Sequence, residues 1–278
     1  MIIKDGVRIS NNGRIKFDKQ KDLDTDIIEL TKDISGIKST HNLTYVYAYE
    51  FKDGTNVKEQ KYFRDALKHN IENTKYFNSA ELFDFVEDGV FRLDEYKRLD
   101  KFKVLVSVKP TFTEQRTLLD LITLHIEQYS SNEIMSFELL KRKIKDVIFD
   151  PERALKALKQ TNKYGNRSNA ELEAMIYDVA DKFNDMNPED KFTIKQYLPV
   201  VIREGFINYL KFKDEETEQL YRNLDAGTEV LIVDDFITSG STLKEIIRFL
   251  NIVNPNNKIT AFAFINQLRE YWKFFLYF

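Results

Sequence analysis

The chain of 278 residues contains no cysteine. That excludes disulfides and thiolate metal sites and fits a reducing compartment. Histidine is nearly as scarce, with His41, His69 and His125 the only three. They lie far apart and form no HxH or HExxH spacing, so hydrolytic triads and histidine-built metal centres find no support. Each is read as an ordinary surface or core histidine. Glycine numbers only nine, and no GxxxxGK[ST] occurs, which excludes a Walker-type phosphate loop. No apolar run approaches membrane-spanning length, and the opening MIIKDGVRIS has no apolar signal core, so a cytoplasmic location is expected. A net charge of −3 gives no general attraction to nucleic acid or to a membrane surface.

What is present suffices for a substantial core. Hydrophobic residues make up 42% and charged residues 31%, the balance of a soluble globular chain with room for one large domain or two small ones. The most informative stretch is VLIVDDFITSGSTLKE at 230–245. Four consecutive apolar residues, 230–233, read as a strand buried on both faces. Asp234 and Asp235 follow at its carboxyl end, where open α/β sheets take their ligands. Ionised carboxylates only accept hydrogen bonds, so they suit vicinal sugar hydroxyls, directly or through a divalent metal. Gly240 supplies freedom for a positive φ or for close approach of a ligand to the backbone. Leu243, Ile246, Ile247 and Leu250 recur at helical spacing, so a helix begins near Thr242. Its unpaired N–H groups and positive dipole end attract an anion. Ser and Thr at that position are equally good as plain N-caps.

Strand, paired acids and a Thr/Ser-Gly-x-Thr loop in this order resemble the phosphoribosyl-pyrophosphate (PRPP) binding motif of type I phosphoribosyltransferases. Phe236 is bulkier than the aliphatic residue usual there. The resemblance implies that Asp234 and Asp235 contact the ribose 2- and 3-hydroxyls and serve a metal indirectly. It implies that Thr238, Ser239, Gly240, Ser241 and Thr242 wrap the 5-phosphate, with Mg²⁺ bridging pyrophosphate and ribose.

Upstream, residues 102–108 (FKVLVSV) form a second strong strand signal, followed by a helix carrying Leu118, Leu119, Leu121, Ile122 and Ile126. In the family the loop after the first strand holds pyrophosphate, which gives Ser107 and Lys109 that role by resemblance. The loop VKPTF has no glycine, a departure from the family pattern. Lys195, Arg203 and Lys211 lie in a basic, apolar stretch and are candidates for closing over an anionic substrate. For any one of them the alternative is ordinary surface charge.

The rest of the chain sets the organisation. Residues 1–100 read as a mixed α+β segment: a hairpin around NNG with strands 7–9 and 14–17, a Tyr-rich strand at 42–51, and helices at 60–71 and 80–86. Residues 101–278 read as the phosphoribosyltransferase-like domain. Within it, about 130–190 reads as a helical insertion, with helices at 138–149, 151–159 and 170–183. A strand is expected at 200–202 and another at 258–265. The aromatic tail LREYWKFFLYF reads as core or dimer packing, compatible with a homo-oligomer. The expected fold is α/β: a parallel-sheet, phosphoribosyltransferase-type (Rossmann-like) core with the N-terminal segment and helical insertion attached. Two functions stay open. One is transfer of ribose 5-phosphate from PRPP to an unidentified nitrogenous base, with release of pyrophosphate. The other is a non-catalytic module of the same fold that binds PRPP or a nucleotide. Neither involves nucleic acid or a membrane.

Overall fold

The structure, a computed structural model, describes residues 2–4, 7–9, 14–17, 28–31, 37–40, 43–51, 57–69, 79–108, 117–159, 166–193, 202–237 and 240–266. Its centre is a parallel array of five strands. In spatial order these are β6 (Leu43–Phe51), β13 (Lys258–Asn266), β12 (Glu229–Ile237), β7 (Val104–Val108) and β8 (Met135–Lys141). β11 (Leu210–Phe212) closes one edge antiparallel to β8. On the other side β6 carries two antiparallel neighbours, β4 (Ile28–Thr31) and β5 (Ile37–Thr40). Beyond β4 the sheet continues through β3 (Arg14–Phe17), β2 (Val7–Ile9) and β1 (Ile2–Lys4). The strands flanking NNG pair antiparallel, with Val7 opposite Phe17 and Ile9 opposite Ile15, while the NNG residues themselves lie outside the described residues.

Helices cover both faces of the parallel array, which is why the inner strands β7 and β12 carry continuous buried apolar runs, whereas the outer β8 alternates. On one face lie α1 (Val57–His69), α2 (Ser79–Lys97) and α3 (Leu118–Tyr129), packed with Leu231, Val233, Phe262 and Phe264. On the other lie α4 (Pro151–Lys159), α5 (Asn169–Asn184) and α7 (Ser241–Val253), packed with Val230, Ile232, Ala261 and Ala263. The last helix, α6 (Glu215–Arg222), joins that second layer through Tyr221. Over 230–233 the odd and even residues of β12 thus feed opposite cores, as a period of two demands.

Local sequence explains most helix starts. Thr117 and Asp120 form a reciprocal capping box at α3, and Ser168 and Glu171 form another at α5. Asp214 caps α6, and Pro151 opens α4 directly after Asp150, whose carboxylate accepts the Arg153 N–H at 3.0 Å. Gly89 sits inside α2 despite its poor helix propensity. A Cβ there would lie 2.3 Å from Phe264 Cε2, so helix and sheet approach too closely for any other residue.

The structure departs from the sequence reading at 138–149. That stretch is not helical. It contains most of β8, a 3-10 turn Ile144–Asp146 and the short strand β9 (Ile148–Phe149), which pairs with β10 (Phe206–Ile207). Phe137 and Leu139 are buried at strand alternation, and a place between β7 and β11 overrides a short 3.6-period match. Residues 200–201 lie outside the described residues, and Ile202 opens a 3-10 turn, Ile202–Gly205, instead of a strand. α2 also runs well past residue 86, to Lys97. The tail beyond 266 lies outside the described residues.

Candidate functional site

The strand order creates one crevice that chain connectivity leaves open. β7 leads through α3 to β8 on its outer side, while β12 leads through α7 to β13 on the opposite side. The two connections leave in opposite directions and onto opposite faces, so the carboxyl ends of β7 and β12 flank a topological switch point. Open α/β sheets bind ligands there. Ser107 stands at this point on β7, half-buried and in register with Val233 of β12.

β12 extends beyond the apolar run 230–233 through Ile237, because Phe236 and Ile237 find partners in Ile265 and Asn266 of the long neighbouring strand. Asp234 and Asp235 therefore belong to the last half of the strand. Asp235 is only 6% exposed. Its Oδ1 accepts the Phe236 N–H at 2.7 Å and Lys68 Nζ at 2.6 Å. Lys68 comes from α1 and also lies over the Phe236 ring, 5.4 Å from its centroid. Burial opposes the lysine's charge, but Asp235 and Asp234 outweigh it, and the ammonium is held above its usual pKa. Asp234 is pushed up to about 7, by burial first and then by the adjacent Asp235 charge, with Lys68 only partly offsetting both. The two carboxyls share a hydrogen bond.

At the start of α7, Gly240 takes φ 74°, a left-handed conformation that glycine adopts without strain. It has no side chain to cap the helix, unlike Thr117, Ser168 and Asp214 at α3, α5 and α6. The first-turn N–H groups of α7 thus receive no side-chain cap from that position. The Tyr209 hydroxyl donates to the Ser241 carbonyl at 3.4 Å and also hydrogen-bonds with the Thr242 hydroxyl. Tyr209 is fully buried, and burial with the charge of Glu245 raises its pKa strongly.

Glu245, buried on α7, fixes this corner. Its carboxylate accepts the Asn208 N–H at 2.7 Å and two Arg248 donors at 2.6 and 2.7 Å. Asn208 has φ 62°, so the backbone entering β11 is clamped in an uncommon conformation against α7. Arg203 stands on the adjoining 3-10 turn. Its Nε is buried with no hydrogen-bond partner among the described residues. Burial and the nearby Arg64 guanidinium lower its pKa, while Tyr209 acts the other way. The turn is pressed onto α4 at Gly205, where a Cβ would meet Ala154 Cβ at 2.8 Å and the Asp150 carbonyl at 2.9 Å.

The structure therefore brings together Asp234, Asp235, Gly240, Ser241 and Thr242, with Ser107 facing them across the register and Arg203 joined to them electrostatically through Tyr209. Lys211 is exposed on β11, three strands from β12, a span of about 14 Å at ordinary strand spacing. Thr238, Ser239, Lys109 and Lys195 lie outside the described residues. Of the histidines, His125 is buried with Nδ1 2.9 Å from the Leu121 carbonyl of its own helix. Sequence reasoning missed Lys68, Arg64 and Tyr209. The only trace of the first two is an i, i+4 pair of cations directly following the core residues Phe63 and Leu67 on one helix.

Residues 205–272 match the family model described as phosphoribosyl transferase domain. That segment is similar to phosphoribosyltransferase domains. The match covers about a quarter of the chain, from Gly205 through β13, and contains the acidic pair, Gly240, Tyr209 and Glu245. No curated protein matches the chain. The phosphoribosyltransferase match stops short of α1 and β7, so Lys68, Arg64 and Ser107 fall outside it. Among the described residues no helix is long and apolar enough to cross a membrane, and no cluster of three or more His, Asp or Glu side chains is placed to hold a metal ion.

Proposed function

We propose that the protein binds PRPP in the crevice between β7 and β12 and transfers its ribose 5-phosphate to a nitrogenous base, releasing pyrophosphate. The observation that supports this most is the coincidence, within the matched segment and at the β12 side of the switch point, of a carboxyl pair and a glycine-opened helix start. The carboxyl pair accepts sugar hydroxyls, with the raised Asp234 able to share a proton with them. The N–H groups at the start of α7, with the Ser241 and Thr242 hydroxyls, receive the 5-phosphate. Arg203 and its neighbour Arg64 supply positive charge where a further anionic group of the ligand would lie, a role proposed also for Lys109 beyond β7 and for Lys195.

The reaction so read asks little covalent chemistry of the protein. The anomeric C–O bond loosens, positive charge grows on the ribose ring, negative charge grows on pyrophosphate, and a base nitrogen attacks the anomeric carbon. Placement of charge and exclusion of water carry the rate. Mg²⁺, the metal usual in this family, takes oxygen ligands, and the carboxylates fit that preference. Asp235 Oδ1 already holds Lys68 and the Phe236 N–H, so the pair would meet Mg²⁺ through sugar hydroxyls or water. When bound, the metal would neutralise the leaving pyrophosphate.

Three measurements test the reading. PRPP with Mg²⁺ should raise the melting temperature, since a ligand that binds only the folded state stabilises it. Flat melting curves at millimolar PRPP overturn the proposal. A screen of nucleobases with PRPP, followed by pyrophosphate release, then separates enzyme from module: binding without release from any acceptor favours the non-catalytic reading. The double substitution Asp234→Asn, Asp235→Asn should weaken PRPP binding while the protein stays folded.

A further inference from the structure

The acidic pair is completed from outside the matched segment. Asp235 is nearly inaccessible, and a buried carboxylate needs both a counter-charge and hydrogen bonds to keep one orientation. It has one backbone donor, the Phe236 N–H, which is its immediate neighbour and leaves the side chain free to swing about χ1. The second donor is Lys68 Nζ at 2.6 Å, and it comes from 167 positions earlier in the chain, on α1. The lysine itself is not loose. Its side chain is 20% exposed and its ammonium faces the Phe236 ring. The helix that carries it is anchored in the α1–α3 core by Phe63 and Leu67, neither of which is exposed at all. One turn earlier on α1, Arg64 reaches the electrostatic surroundings of Arg203. One helix thus carries both the lysine that holds Asp235 and a guanidinium whose charge acts on Arg203.

We propose that Lys68 is the positioning residue for Asp235, and that α1 is a wall of the ligand site supplied by the first hundred residues. Lys68 pins Oδ1 toward α1, and the carboxyl keeps its hydrogen bond with Asp234. The inference deepens the PRPP reading and rests on it for the identity of the ligand; the positioning itself does not depend on which ligand binds. A lysine here acts through Asp235 rather than on the reacting atoms. Its loss would leave the carboxylate with the Phe236 N–H and the bond shared with Asp234, and with no counter-charge to hold its orientation.

The experiment compares Lys68→Met and Lys68→Arg with the unaltered full-length protein by two independent readouts. The first is hydrogen exchange at the Phe236 amide, which reports the bond to Asp235 without any ligand. Methionine should speed that exchange at least tenfold, and arginine should restore it to within about threefold. The second is PRPP affinity by calorimetry in the presence of Mg²⁺. Methionine should weaken it at least tenfold, and arginine should recover most of the loss. Equal Phe236 exchange in all three proteins overturns the positioning role, whatever PRPP does. If exchange responds as expected but the unaltered protein ignores PRPP, the positioning stands and the PRPP reading falls. Should Lys68→Met fail to fold, Lys68→Met combined with Asp235→Asn removes both buried charges. That protein should fold, and PRPP affinity in it equal to that of the unaltered protein would overturn the proposal.

Discussion

Replacing Asp234 by asparagine should make the protein more stable at alkaline pH, and the size of the gain follows from the site's electrostatics. The folded-state pKa is pushed up to about 7, against an ordinary aspartate value near 4 in the unfolded chain. Between those values the unfolded state has released the proton and the native state still holds it. The native state then binds more protons, so stability falls as pH rises, and the loss is complete once pH passes the folded value. The full window spans roughly 3 units, an upper bound of about 4 kcal/mol at about 1.4 kcal/mol per unit. Partial exposure of Asp234 and its coupling to Asp235 reduce this, and about 1–2 kcal/mol is the expectation between pH 5 and pH 8. Asparagine keeps the shape and cannot ionise. Urea unfolding of both proteins at the two pH values gives the answer as a difference, which removes every other titrating group common to both. Asp234→Asn should gain about 1–2 kcal/mol on the unaltered protein on going from pH 5 to pH 8. Stability curves that run parallel across this range would falsify the assignment of a disfavoured charge at Asp234.

Other substitutions probe the same corner. Arg203→Leu should leave the fold as stable or slightly more so in urea unfolding, because it removes a buried guanidinium nitrogen with no partner among the described residues, while PRPP affinity falls at least tenfold. Gly205→Ala should cost about 1–3 kcal/mol by the same unfolding assay, since its methyl would lie 2.8 Å from Ala154 Cβ and the backbone turn would have to move off α4. Gly240→Ala should cost about 1 kcal/mol for the left-handed φ and weaken PRPP binding more than that strain alone explains; equal losses in stability and binding would refute a phosphate role for this turn. Glu245→Gln should destabilise the fold by about 2–4 kcal/mol, because it strands Arg248 and loosens Asn208.

The parts of the fold legible in the sequence are those governed by local rules. The apolar runs at 104–108, 230–233 and 258–265 could only be strands buried on both faces, and β7, β12 and β13 are the three adjacent strands at the centre. The pairing of the strands that flank NNG and the helix start at Pro151 are set within a few residues and were readable for that reason. Residues 138–149 were not, because Phe137, Leu139, Leu140 and Ile144 satisfy two periods at once, and only the neighbours β7 and β11 decide between them. At the site, Asp234, Asp235 and Gly240 share one short segment, so their sequence order carries their geometry. Lys68 reaches Asp235 only because α1 packs on the face of β12 that carries Leu231 and Val233. Pairings of that kind depend on the whole sheet being built and leave no mark in the spacing of residues.

The charges of the crevice bear on what it binds. Asp234 is an acid held where ionisation is disfavoured, and Arg203 is a base held where protonation is disfavoured. Each could be replaced by an apolar residue of similar size with no loss to folding, by the reasoning that applies to buried charges in general. A crevice serving only a phosphate would gain from Arg203 and lose from Asp234, whose charge repels the ligand. A crevice serving only a sugar would need the carboxyl and have no use for the guanidinium. Both strains are offset together by a ligand that carries hydroxyl donors at one end and anionic oxygens at another. Such a ligand hydrogen-bonds the carboxyls at the end of β12, places phosphate at the start of α7 and meets Arg203 beyond Tyr209. Ribose phosphates have that distribution of groups, whereas free nucleobases and inorganic phosphate do not. Ribose 5-phosphate should therefore protect the protein thermally where phosphate alone at equal concentration does not, and equal protection by the two would remove the acidic pair from the binding site.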